Sequence, residues 1–127
     1  MAGGEIILEN GTLTIDSNTN DATNGGDITI EKKVYGTSDE LLVLDAHATG
    51  TGTIALGPVG HATPASSQIA SVKATAGGGI TLNGDITLSD APATDGVTFA
   101  SAVTIGDGKS ITTVSYTHLT LPTIVDV

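Results

Sequence analysis

The 127-residue chain has no cysteine, no tryptophan and no arginine, and its only basic side chains apart from histidine are Lys32, Lys33, Lys73 and Lys109. Without cysteine there is no disulfide framework and no thiolate metal site, and the redox compartment stays open. Aromatic side chains are nearly as scarce, being Tyr35, Phe99 and Tyr116. A core built without large aromatic anchors has to come from Ile, Leu, Val and Ala, which suits stacked aliphatic layers better than one globular centre. No apolar run approaches the ~20 residues needed to span a bilayer, so no membrane insertion is expected from this stretch. Met1 to Glu5 shows neither a basic n-region nor an apolar h-region, so no signal peptide is read there. No segment shows a convincing helical period.

Positive charge is the other shortage. Fourteen acidic residues face four lysines, giving a net charge of -10. That balance repels phosphate backbones and anionic lipid surfaces, so nucleic acid is not expected as a partner. The plainest role of such an excess is solubility.

What the chain has in quantity is glycine, 17 residues, and an internal repeat. Gly26-Asp27-Ile28-Thr29-Ile30, Gly52-Thr53-Ile54-Ala55-Leu56 and Gly78-Gly79-Ile80-Thr81-Leu82 recur at one interval, each a glycine followed by an alternating run. Self-similarity of this kind marks stacked architectures, in which one unit cannot bury its apolar face without neighbours. Ile6 to Ile15 and Ile80 to Leu88 share a second shape, two short alternating runs joined through Asn-Gly, and are read as equivalent parts of two repeats. Asn-Gly suits a two-residue hairpin, and equally a corner between consecutive strands of one coil, because both residues tolerate positive φ. The repeat favours the corner.

Leu41 to Leu44 reads as a strand with Leu42 and Leu44 on one face, although Ser38-Asp39-Glu40 also resembles a helix N-cap. Counting back from the following glycines matches Ala70, Val72 and Ala74 to Leu42, Leu44 and Ala46. The expected fold is all-β, a right-handed parallel β-helix of four to six coils over residues 1–113, with units near 5–25, 26–51, 52–77 and 78–113. An antiparallel β-sandwich made of hairpins is the alternative. The expected inward set is Ile28, Ile30, Leu42, Leu44, Ile54, Leu56, Val72, Ile80, Leu82, Ile86, Leu88, Val97, Phe99, Val103 and Ile105.

The glycine-led strands, together with Leu-Val-Leu-Asp-Ala at 42–46 in part and Gly-Val-Thr-Phe-Ala-Ser-Ala-Val-Thr-Ile-Gly at 96–106, resemble the β-strand repeats of filamentous-haemagglutinin and autotransporter adhesins. That resemblance implies a stalk or spacer segment of a large secreted or surface-anchored bacterial protein, at the cell exterior or outer-membrane surface. It implies neighbouring β-helix repeats of a longer chain as partners, and host or neighbouring-cell ligands engaged through regions outside this one. Residues 114–127, opening Val114-Ser115-Tyr116-Thr117-His118, are different: they resemble a translated sequencing adapter, which implies a non-native tail.

The residues of types that carry chemistry do not assemble into a motif. Asp16, Asn18, Asn20 and Asp27 outline a twelve-residue calcium loop, but Asp21 stands where that loop needs glycine and Asp27 where it needs a bidentate glutamate. Gly106-Asp107-Gly108-Lys109-Ser110 ends like a phosphate-binding loop, with Val103 in place of its first glycine and no helix pattern after it. His47, His61 and His118 are too scattered for a metal site. Asn10-Gly11-Thr12 is a formal glycosylation sequon. A β-helical carbohydrate-active enzyme or phage tailspike is the rival reading, with Asp45, Asp85 and Asp90 as its available carboxylates. The expectation is no catalysis, no cofactor and no metal.

Overall fold

The computed structural model describes residues 4–17, 25–61, 68–89 and 96–113, and every regular element within them is a β-strand. The strands are β1 (Ile6–Leu8), β2 (Thr12–Asp16), β3 (Ile28–Ile30), β4 (Val34–Gly36), β5 (Glu40–Ala46) and β6 (Ile54–Leu56). They continue with β7 (Ile69–Ala76), β8 (Ile80–Leu82), β9 (Ile86–Thr87), β10 (Val97–Phe99), β11 (Val103–Ile105) and β12 (Ile111–Thr112).

All described pairings are parallel. The chain visits three faces in rotation. On the first, β1 pairs with β4, Val34 with Val59, Val59 with Ile86, and β9 with β12. The second is the four-stranded sheet β2-β5-β7-β10, and the third is the four-stranded sheet β3-β6-β8-β11. Parallel neighbours normally need a crossover helix. Here the crossover from one strand to its neighbour is made by the strands of the other two faces, which is a β-solenoid, and about three turns carry the chain from the first to the fourth strand of each larger sheet. The antiparallel sandwich is thereby overturned, as is the helical reading of 38–46, where Leu42, Leu44 and Ala46 alternate with a more exposed Leu41.

Ile28, Ile54 and Ile80 stack directly, as do Ile30, Leu56 and Leu82. Like side chains therefore fall into columns, and the core is aliphatic throughout. Of the expected inward set, the residues from Ile28 to Leu88 are buried, while Val97, Phe99 and Val103 are half-buried against the core. Ile105 departs from the expectation. It occupies the place over Leu82 yet remains 50% exposed, since no described strand covers β11 on its other side.

Two sequence alignments of the repeat are corrected by the register. Leu42 pairs with Val72, Leu44 with Ala74 and Ala46 with Ala76, so the match of Ala70 to Leu42 is two residues out. The cause is local: Glu40 pairs with Ile69 and Leu41 with Ser71, leaving Ala70 as the extra residue of a bulge, while the segment between Ala76 and β8 is shorter than that between Ala46 and β6. Nor are Ile6–Ile15 and Ile80–Leu88 equivalent. The first pair of strands lies on the first and second faces, and the second pair on the third and first.

The corner entering the second face is built alike at each level. Gly11, Asp39, Gln68 and Gly96 stand immediately before β2, β5, β7 and β10, and all four have positive φ, from 50° to 81°. This bend turns the chain without interrupting the stack, because Leu41 N–H donates to Gly11 O, Glu40 N–H to Gln68 O and Val72 N–H to Gly96 O.

Candidate functional site

Two of the acidic residues singled out from sequence, Asp27 and Asp85, hold coils together. Asp27 stands just before β3, and its Oδ1 accepts from the Thr53 N–H at 2.9 Å and the Thr53 hydroxyl at 3.0 Å, one coil on. These two bonds hold the Asp27 carboxyl below the ordinary value, against a small opposing effect of burial. Asp85 stands just before β9 and does the same on another face, accepting from the Ser110 N–H at 2.9 Å. The shared Gly-Asp-Ile-Thr at 26–29 and 84–87 is thus one device used at two corners. Asp45 accepts from the His47 N–H at 2.8 Å and lies within β5, on a different face from Asp85, while Asp90 lies outside the described residues.

Asn18, Asn20 and Asp21 of the calcium outline also lie outside the described residues. Among the described residues no group of three or more His, Asp or Glu side chains is placed to hold a metal ion. The segment 106–110 forms a tight turn, with Lys109 N–H donating to Gly106 O and φ of 74° at Gly108, and leads into β12. A strand there gives no helix N-terminus to cradle a phosphate. His47 closes its own turn, with Nδ1 accepting the Thr49 N–H at 3.1 Å. Asn10 and Gly11 form the corner into β2. Among the described residues no helix is long and apolar enough to cross a membrane.

Two arrangements were missed from sequence. The first is Glu40, only 2% exposed, whose Oε1 accepts from the N–H groups of Thr37 at 2.8 Å and Ser38 at 3.0 Å while Oε2 accepts from the Thr37 hydroxyl at 3.2 Å. A Cβ on Gly36 would collide with Glu40 Oε1 and Gln68 O, so this glycine makes the room that the carboxylate occupies.

The second is a half-open groove of about 410 Å³ along the first face, which brings together Lys33, His61, Asn83, Asp85, Thr87 and Lys109 from four levels of the stack. Gly60 follows Val59 at the level between Tyr35 and Thr87 and brings no side chain to the groove. Lys33 Nζ lies 3.3 Å from His61 Nδ1 and 3.9 Å from Glu5 Oε2, and the His61 ring packs on Tyr35 at 4.2 Å between centroids. In sequence the one available signal was a lysine just ahead of a first-face strand, as in Lys33-Val34 and Lys109-Ser110-Ile111.

No protein-family model, no curated protein and no solved structure matches this chain.

Proposed function

We propose that this chain is a structural repeat segment, a stalk or spacer within a larger secreted or surface-anchored bacterial adhesin, and that it performs no catalysis. The carrying observation is the level-on-level stacking of mainly aliphatic residues in parallel register, with β1, β2 and β3 at one end and β10, β11 and β12 at the other each having one strand edge without a described neighbour. Such a unit gains stability from whatever coil lies above and below it. The half-covered Val97, Phe99 and Val103 and the exposed Ile105 and Ile111 are surfaces that a further coil of the same pattern would bury. The resemblance of the glycine-led strands to adhesin repeats supports the exterior setting.

Against an enzyme stands the distribution of carboxylates. Paired-carboxylate hydrolysis needs two acids within about 5 to 10 Å across one cleft. The described lining of the first-face groove holds one, Asp85. Recovering the complete gene tests the proposal: further glycine-led strand repeats, a secretion signal and a surface anchor in the same reading frame are expected. A reading frame that ends within this solenoid and a product that stays in the cytoplasm would overturn it.

A further inference from the structure

Val34, Val59, Ile86 and Ile111 occupy four successive levels of the first face. With ~4.8 Å between parallel neighbours, this column spans roughly 14 Å. Lys33 precedes its first member and Lys109 stands two residues before its last, so the groove has an ammonium group toward each end. Between them lie the hydrogen-bonding groups of Asn83 and Asp85, with Ser110 beside Lys109, and apolar surface makes up a comparable share of the lining. The lining is therefore mixed, polar groups and apolar surface together, with an ammonium group toward each end. It suits a molecule rich in hydroxyl groups with negative charges spaced along its length, and the volume of about 410 Å³ lies within the ~300–1,000 Å³ usual for small-ligand sites.

We infer that the first-face groove is a binding site for a linear oligosaccharide bearing carboxylates, laid along the solenoid axis. Lys33, exchanging Glu5 for the ligand, and Lys109 each pair with one carboxylate, Asn83 donates to sugar hydroxyls, and Asp85 accepts from them through the oxygen that Ser110 does not hold. The net charge of -10 does not forbid this, because charges beyond the ~8 Å screening length at physiological ionic strength count little, and of the nearer acids Glu5 is the one the ligand displaces from Lys33 while Asp85 serves as an acceptor. The site is independent of the spacer role, since a stalk segment carries the same groove whatever lies beyond its ends.

The test is an NMR titration of the isotope-labelled 127-residue chain with linear trigalacturonate, with maltotriose as the uncharged control. Binding is expected at a dissociation constant on the order of millimolar, with amide shifts confined to Gly60, Asn83, Gly84 and Ser110 and no response to maltotriose. Lys33→Gln and Lys109→Gln should each weaken binding roughly threefold, and together about tenfold, as solvent-exposed ion pairs do. The corresponding arginine variants should retain binding, and Lys73→Gln, in β7 on the second face, should leave it unchanged. Shifts absent, scattered over the other faces, or indifferent to the double glutamine variant would overturn the site. Equal binding of maltotriose, or of an acidic pentapeptide at the same amides, would overturn the assignment to a carboxylated sugar.

Discussion

At the scale of the residue, Glu40 is the side chain on which the local structure makes the largest demand. An ionised carboxylate taken out of water costs several kcal/mol unless it is hydrogen-bonded. Burial pushes the Glu40 carboxyl upward, but the N–H groups of Ser38, Thr37 and Glu40 itself, with the Thr37 hydroxyl, outweigh it and hold the group below the usual carboxylate range. A carboxyl depressed on folding stabilises the folded state fully above its unfolded value and loses that contribution as pH falls through the lower folded value. Glu40→Gln brings an amide against N–H donors, and should lower stability at neutral pH by about 1–3 kcal/mol in urea unfolding. The two curves of stability against pH should converge in acid. A difference that stays constant with pH would mean that the charge plays no part.

The corner residues make a second prediction at this scale. Gln68 has φ of 50°, a conformation that costs an L-residue about 1–2 kcal/mol, whereas Gly11 and Gly96 meet the same requirement without that cost. Glycine gives back part of this in unfolded-state entropy, about 0.5–1 kcal/mol. Gln68→Gly should therefore raise stability by about 0.5–1 kcal/mol, read as a higher thermal midpoint. A lower midpoint would show that the Gln68 side chain contributes more than its backbone strain costs.

At the scale of the element, the columns are uneven, and substitutions should report it. Leu42 is fully buried between its column neighbours Leu13 and Val72, so Leu42→Ala should cost about 2–5 kcal/mol. Ile105 ends its column and is half exposed, so Ile105→Ala should cost less than about 1 kcal/mol by the same measurement. Equal costs would mean that β11 is covered as fully as β5. These two residues also mark how far the sequence could be read. The alternation of Leu42 and Leu44 and the equal steps from Ile28 to Ile54 to Ile80 made the stacked columns legible, because in a strand side-chain direction follows from position alone. Which level comes last was not legible, so Ile105 was grouped with the buried residues. Register failed wherever it depended on a bulge or a corner: Ala70 looks like any alternating apolar residue, and Asn10-Gly11 looks like Asn83-Gly84 although they turn between different faces. The first-face groove was invisible for the same reason, since Lys33 and Lys109 come to line one groove only when successive levels have been aligned.

At the scale of the whole molecule, the unequal steps explain how a degenerate repeat keeps its stack. The step from Ile28 to Ile54 equals that from Ile54 to Ile80, while the second face advances by 29 residues from Leu13 to Leu42, 30 from Leu42 to Val72 and 25 from Val72 to Val97. Loops and corners absorb the differences, and the strands stay aligned because a one-residue slip would turn every aliphatic side chain outward. Stability in such an array comes mainly from contacts between adjacent levels, so the outermost strands are the least protected.

The absence of native cysteine makes the stack directly testable by cross-linking. Ala55 and Thr81 are parallel partners on the outward side of the third face, which places their Cα atoms ~4.8 Å apart, within the ~4.4–6.8 Å that a disulfide spans. The double variant Ala55→Cys, Thr81→Cys should oxidise to an intramolecular disulfide in dilute solution, whereas Ala55→Cys paired with Thr98→Cys, on the second face, should remain reduced. A stacked pair that stays reduced while the pair on different faces cross-links would contradict the solenoid and everything derived from it.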